Sequence, residues 1–155
     1  MKKIIMVLFV SVLLVLTSGC GSENLEGNLS GIMSKLYEGI KSDNLGELEN
    51  IKVDSENQDY YIGDVSFKYT DALASEPAMS SIAHSVVLIR VKDTKDIEKY
   101  KKEIKEKVDP AKWVCVSVDE KNVIVESKGD LILLVMDNEY GKSIGKFSPA
   151  SFNSV

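Results

Sequence analysis

Histidine, tryptophan and arginine each occur once in this chain of 155 residues, and cysteine occurs twice. A single histidine excludes a multi-histidine metal centre, and neither Cys-x-x-Cys nor His-Glu-x-x-His spacing is present. Two cysteines exclude a disulfide-dense scaffold. Positive charge is outweighed, with a net charge of −5, which argues against a nucleic acid partner. Repeats, Pro-rich spacers and low-complexity tracts are missing, so a collagen-like or fully disordered chain is excluded. Long apolar runs are missing except at the N-terminus, which excludes a polytopic membrane protein. What remains is 44% hydrophobic and 28% charged, the balance of one globular domain.

The N-terminal run is informative. Met1-Lys2-Lys3 is basic, and Ile4 to Leu16 is apolar except for Ser11. As a helix this run spans about 20 Å, short of a hydrocarbon core of roughly 30 Å. No polar face offers it to a soluble surface. The order basic, apolar, small is that of a secretory signal peptide, residues 1–19. Leu16-Thr17-Ser18-Gly19-Cys20 then resembles the bacterial lipobox. That resemblance implies cleavage before Cys20 and lipidation of its thiol. A diacylglyceryl cysteine meets the requirement of two acyl chains for stable anchoring. The chain is therefore expected at the cell membrane, on its extracytoplasmic face. Loss of Lys2 and Lys3 with the leader takes the net charge from −5 to −7. Such a body is repelled by an anionic bilayer, so the lipid must supply the attachment. Gly21 to Asn28 completes a short tether, residues 20–28, with a reach of roughly 15 Å.

Leu25, Leu29, Ile32, Met33, Leu36 and Ile40 recur at helical spacing. Ser42 to Gly46 breaks that pattern, and Leu45 to Val53 reads as an apolar lead-in. Val65, Phe67 and Tyr69 alternate with polar residues, predicting a half-buried strand over 64–69. Thr70 to His84, rich in Ala, Met and Ser with Pro77 in the middle, reads as a helical turn and loop. Ser85 to Lys92 predicts a strand buried on both faces. Lys95 to Val108 predicts a helix with Ile97, Tyr100, Ile104 and Val108 inward. Periodicity leaves 110–118 open between helix and strand. Val123–Glu126 and Leu131–Met136 predict a hairpin around Ser127 to Asp130. These elements occupy one domain, 29–137, followed by a Gly- and Ser-rich tail, 138–155, expected to be loosely ordered. The expected fold class is α+β: a mainly antiparallel sheet of about four strands with two or three helices packed on one face.

Little in the sequence points to chemistry. His84 stands near Ser80, Ser81 and Ser85, but adjacency in sequence is no triad, and a structural role at a strand end is expected. Cys115 lies in Trp113-Val114-Cys115-Val116 and is expected to be buried and inert. Gly141-Lys142-Ser143 lacks the upstream glycine of a phosphate loop. Asp54, Glu56, Asp59 and Asp64 lack calcium-loop spacing. The lysines of 95–108 alternate with glutamates and read as a solvated face. The candidate binding residues are Tyr60, Tyr61, Glu76 and Arg90. Arg90, the sole arginine, interrupts an apolar strand and needs a carboxylate such as Glu76 if buried. The bland alternative is a structural ion pair.

Tyr60-Tyr61-Ile62-Gly63, Ala74-Ser75-Glu76-Pro77, Ser81 to Arg90, Asp109 to Val116 and Gly129 to Leu133 together resemble a domain-of-unknown-function family found in lipoproteins of Gram-positive anaerobes such as clostridia. The resemblance spans 31–137. It implies a helical turn over 110–118 and implies no activity, cofactor or substrate. The expectation is a non-catalytic binding or accessory module without metal or cofactor, docking an envelope protein through an apolar patch near Tyr60, Tyr61 and Met79. The alternatives are a small-ligand carrier with a concave apolar pocket, and a small hydrolase with His84 beside a serine or Cys115.

Overall fold

The computed structural model describes residues 24–40 and 43–145. The elements are helix α1 (Leu29–Tyr37), strand β1 (Leu48–Lys52), helix α2 (Gln58–Ile62), strands β2 (Tyr69–Pro77) and β3 (His84–Val91), helix α3 (Ile97–Lys107), strands β4 (Val123–Lys128) and β5 (Leu131–Asp137), and helix α4 (Gly141–Ile144). One five-stranded sheet runs β1-β2-β3-β5-β4 with every neighbouring pair antiparallel. The class is α+β. The expected signal peptide and Cys20 lie outside the described residues.

The central strands β3 and β5 dictate the layering. They pair from His84 opposite Asp137 to Arg90 opposite Leu131. Alternation sends Val86, Leu88, Leu131, Leu133 and Val135 to one face, against Leu29, Ile32, Met33 and Leu36 of α1 and Ile144 of α4. It sends Val87, Ile89, Ile132, Leu134 and Met136 to the other, against Ile62 of α2, Ile104 of α3, Val108 and Trp113. Each such side chain contributes about 1.5–3 kcal/mol on burial. Helices therefore cover both faces, not one, because β3 and β5 are apolar on both sides and either face left bare would expose a row of aliphatics. Asn28 starts α1 by accepting the Gly31 N–H through its side chain at 2.7 Å.

Several local expectations are corrected. The strand expected over 64–69 is a loop up to residue 68, with Tyr69 opening β2: Val65 and Phe67 dock beneath α3, and Phe67 stacks on Tyr100 at 4.4 Å. Glu103 accepts the Ser66 N–H at 2.6 Å, taking the place of a ladder partner. The segment expected as helical turn and loop carries β2, whose small Ala72, Ala74 and Ser75 suit the crowded middle of a sheet covered on both sides. The apolar lead-in contains an edge strand, β1, the fifth strand of the sheet. Residues 110–118 form turns without helix or strand, and Cys115 is exposed at φ +62° instead of buried. The start of the expected loose tail is ordered: Asp137 accepts the N–H groups of Glu139, Tyr140 and Gly141 and launches α4, which buries Ile144.

Candidate functional site

The polar residues buried as whole residues among the described ones are Ser75, Glu76, His84, Ser85 and Asp137. All five fall at one end of the central strands. The register causes this, since Ser75 lies opposite Val86, Ser85 opposite Met136, and His84 opposite Asp137. Strand alternation divides them between the two faces.

On the α1 face, His84 is fully buried. Its Nδ1 lies 2.7 Å from Asp137 Oδ2 and its Nε2 lies 2.7 Å from the Tyr37 hydroxyl. An ionised carboxylate only accepts, so Nδ1 carries a proton toward Asp137, while Nε2 and the Tyr37 hydroxyl share the second hydrogen bond. Burial raises the Tyr37 hydroxyl pKa well above its ordinary value, a hydrogen bond with Ser75 opposing and the Asp137 and Glu76 charges adding. Burial alone would raise the Asp137 pKa too, but the His84 bond and the Tyr140 and Glu139 N–H groups outweigh it and hold the carboxyl below its usual range. Both ring nitrogens are thus committed, to Tyr37 and Asp137, and neither meets a serine or Cys115. An open cleft of about 300 Å³, lined by Leu45, Ile82, Ala83, Val116, Asp137 and Tyr140, adjoins this cluster.

On the opposite face, α2 and the turn after α3 build an aromatic cage around an internal cation. The Lys112 ammonium sits 4.3 Å from the Tyr60 ring centre, 4.9 Å from that of Tyr61 and 5.1 Å from that of Trp113. It donates to Glu76 Oε1 at 2.5 Å and to the Tyr60 carbonyl at 3.3 Å. The two side chains of this ion pair are 3% and 8% exposed. Burial lowers the Lys112 pKa, and the Glu76 carboxylate pulls it back up. Burial and the Glu76 charge both raise the pKa values of Tyr60 and Tyr61.

The exposed large hydrophobics among the described residues are Tyr60, Met79 and Val114. They belong to one region. Val114 donates its N–H to the Ser80 carbonyl at 3.2 Å, which ties the Met79 turn to the Lys112–Trp113 segment and so to Tyr60.

Of the sequence candidates, Tyr60, Tyr61 and Glu76 come together, and Arg90 does not join them. Its partner is Asp130 at 2.8 Å, at the far end of β3, where its other guanidinium nitrogen donates to the carbonyls of Leu25 at 3.1 Å and Gly27 at 3.0 Å. The expected Arg90–Glu76 pair is replaced by Lys112–Glu76 because the two residues stand at opposite ends of the sheet. Lys112, Tyr37 and Asp137 were not singled out by sequence reasoning. The available signal was Asp137, an acid ending a strand that is otherwise wholly apolar. Among the described residues no helix is long and apolar enough to cross a membrane, and no three His, Cys, Asp or Glu side chains gather as metal ligands. No family model, curated protein or solved structure matches the chain.

Proposed function

We propose that this chain is an extracytoplasmic lipoprotein, anchored in the cell membrane through lipidated Cys20, that serves as a non-catalytic accessory module by docking an envelope protein on the surface of Tyr60, Met79 and Val114. The observation that carries the docking is the gathering of these three exposed apolar side chains on a rigid base, the Lys112 cage. Scattered exposed hydrophobics are ordinary, whereas a grouped set marks an interaction surface. Tyrosine on a preorganised base suits protein contact, since little of its side-chain freedom is lost on binding, and flexible methionine adapts to an irregular partner surface. The anchoring rests on the leader and on Thr17-Ser18-Gly19-Cys20. Kinship with the lipoproteins of Gram-positive anaerobes, on the residues 31–137 that resemble them, belongs to the same proposal.

Two measurements test it. Mass spectrometry of the membrane fraction is expected to find an acylated N-terminal Cys20, and Cys20→Ala to release the chain from membranes; an unacylated terminus sinks the anchor. Photo-crosslinkers placed at positions 60, 79 and 114 are expected to give a discrete crosslinked species in cells that a crosslinker at Lys95 does not. Equal labelling from all four positions refutes the docking surface.

A further inference from the structure

We infer that the Tyr60–Met79–Val114 surface is an acid-rimmed dock that faces away from the bilayer and takes a protein segment carrying Lys or Arg beside apolar side chains. This inference rests on the docking reading above and names the chemistry of the partner.

The rim is acidic. The Glu47 carbonyl accepts the N–H of Ala78, which places exposed Glu47 beside Met79. Exposed Asp59 adjoins Tyr60 in α2. The charge of exposed Glu49 acts on Tyr61, and that of exposed Asp109 acts on Lys112. Two lysines of the region are already engaged. Lys112 is buried beneath the rings and paired with Glu76. Lys107, packed against Gly63 at the end of α2, is held by Glu103 and the Asp64 carbonyl. A docking segment therefore meets apolar contact at the centre and the carboxylates of Glu47, Glu49, Asp59 and Asp109 around it. Electrostatic complementarity selects a basic partner, mainly through association rate and discrimination.

The bilayer itself is the other occupant to weigh, and the fold disfavours it. Arg90 clamps the carbonyls of Leu25 and Gly27, and Leu25 packs on the α1-side core. The chain thus enters the fold at the Arg90 end of β3. His84, at the docking end, is six residues away along that strand, roughly 20 Å at ~3.4 Å per residue. Five residue steps separate Cys20 from Leu25, a span of at most about 17 Å. The anchor thereby holds the Arg90 end near the lipid and the dock away from it. Anionic lipid and an acidic rim repel each other as well.

The test uses the acylated full chain in phosphatidylcholine vesicles, a neutral lipid that does not itself collect basic peptides. A random-peptide display library is selected on these vesicles against empty ones. The expected enrichment is peptides with Lys or Arg next to aromatic or aliphatic residues. Their binding is expected to weaken at high salt and to fall about tenfold for the Glu47→Gln/Asp59→Asn variant, equivalent to about 1.4 kcal/mol. Both positions are exposed and outside the cage, so this variant is expected to keep wild-type stability. Enrichment of neutral or acidic peptides, or binding indifferent to that variant, overturns the charge reading while docking stands. If Met79→Ser/Val114→Ser leaves the selected peptides bound, or nothing is enriched, the docking surface itself falls. Trp113, the only tryptophan, reports orientation without a label: nitroxide-bearing lipids are expected to leave its fluorescence unchanged, and quenching shows the patch in the bilayer and overturns the inference.

Discussion

Replacing Lys112 by Met tests whether the cage is held by its internal cation. The aliphatic stem survives, but the Glu76 carboxylate, on a side chain 8% exposed, loses the ammonium 2.5 Å away. Removing one partner of a buried pair costs about 3–5 kcal/mol, because the remaining charge has been stripped of water. Glu76→Gln is the milder perturbation. The amide still offers an acceptor, and the ammonium keeps the faces of Tyr60, Tyr61 and Trp113 and the Tyr60 carbonyl. Its expected cost is about 1–3 kcal/mol. The double variant leaves neither charge buried alone, so it is expected to be no less stable than Lys112→Met, with a coupling of about 1–3 kcal/mol. Urea unfolding measures this, with Trp113 fluorescence reporting on the cage and far-UV ellipticity on the whole fold. With a slope of about 1–3 kcal/mol per molar urea, Lys112→Met is expected to move the midpoint by roughly 1–5 M. A displacement under about 0.3 M, or additive single substitutions, refutes the claim that the pair is desolvated and mutually dependent.

Other consequences follow from the same geometry. The Asp137 pKa is depressed in the fold, so its contribution is complete above the unfolded carboxyl value and lost as pH falls through it; stability is expected to decline below about pH 4, and Asp137→Asn to flatten that decline in an acid titration of the melting temperature. The Tyr37 pKa is raised, so its contribution is complete below the unfolded value and lost above about pH 10; Tyr37→Phe is expected to lessen the alkaline loss, and an unchanged profile argues against a buried hydroxyl. Gly63→Ala is expected to cost about 2–4 kcal/mol, since φ is +80° and a Cβ would stand 2.6 Å from the Lys107 carbonyl, whereas Gly46→Ala, at φ +65° with open space around it, is expected to cost only about 1–2 kcal/mol; equal thermal shifts for the two would remove the close approach as the cause. Cys115 is exposed and is expected to react in the native chain with a water-soluble thiol reagent, a result that protection until unfolding would contradict.

Much of the scaffold was legible because periodicity reports burial directly. The stripe from Leu29 to Leu36 folds as α1, the unbroken aliphatics of 86–89 as β3, and the two runs around Ser127 to Asp130 as the β4–β5 hairpin. The segments that misled are those whose cover is remote in sequence. Val65 and Phe67 alternate like a strand, yet α3, some forty residues later in the chain, decides that they dock as a loop. Ala72, Ala74 and Ser75 carry weak strand preference by themselves and become a central strand because β1 and β3 flank them.

The candidate site divides in the same way. Composition and the order of residues at the N-terminus set the expectations of one domain, a net negative body and a lipid-anchored start, since these depend on local patterns alone. Tyr60, Tyr61 and Glu76 could be chosen for their chemistry, but strand register decided the separation of Arg90 from Glu76 and the pairing of His84 with Asp137, and the docking of α1, α2 and the turn after α3 on the sheet decided the meeting around Lys112 and the approach of Tyr37. Ion pairs and hydrogen bonds act over a few ångströms, and antiparallel pairing together with the docking of helices and turns on the sheet brings residues 36 to 53 positions apart within that distance without leaving a trace in their spacing along the chain.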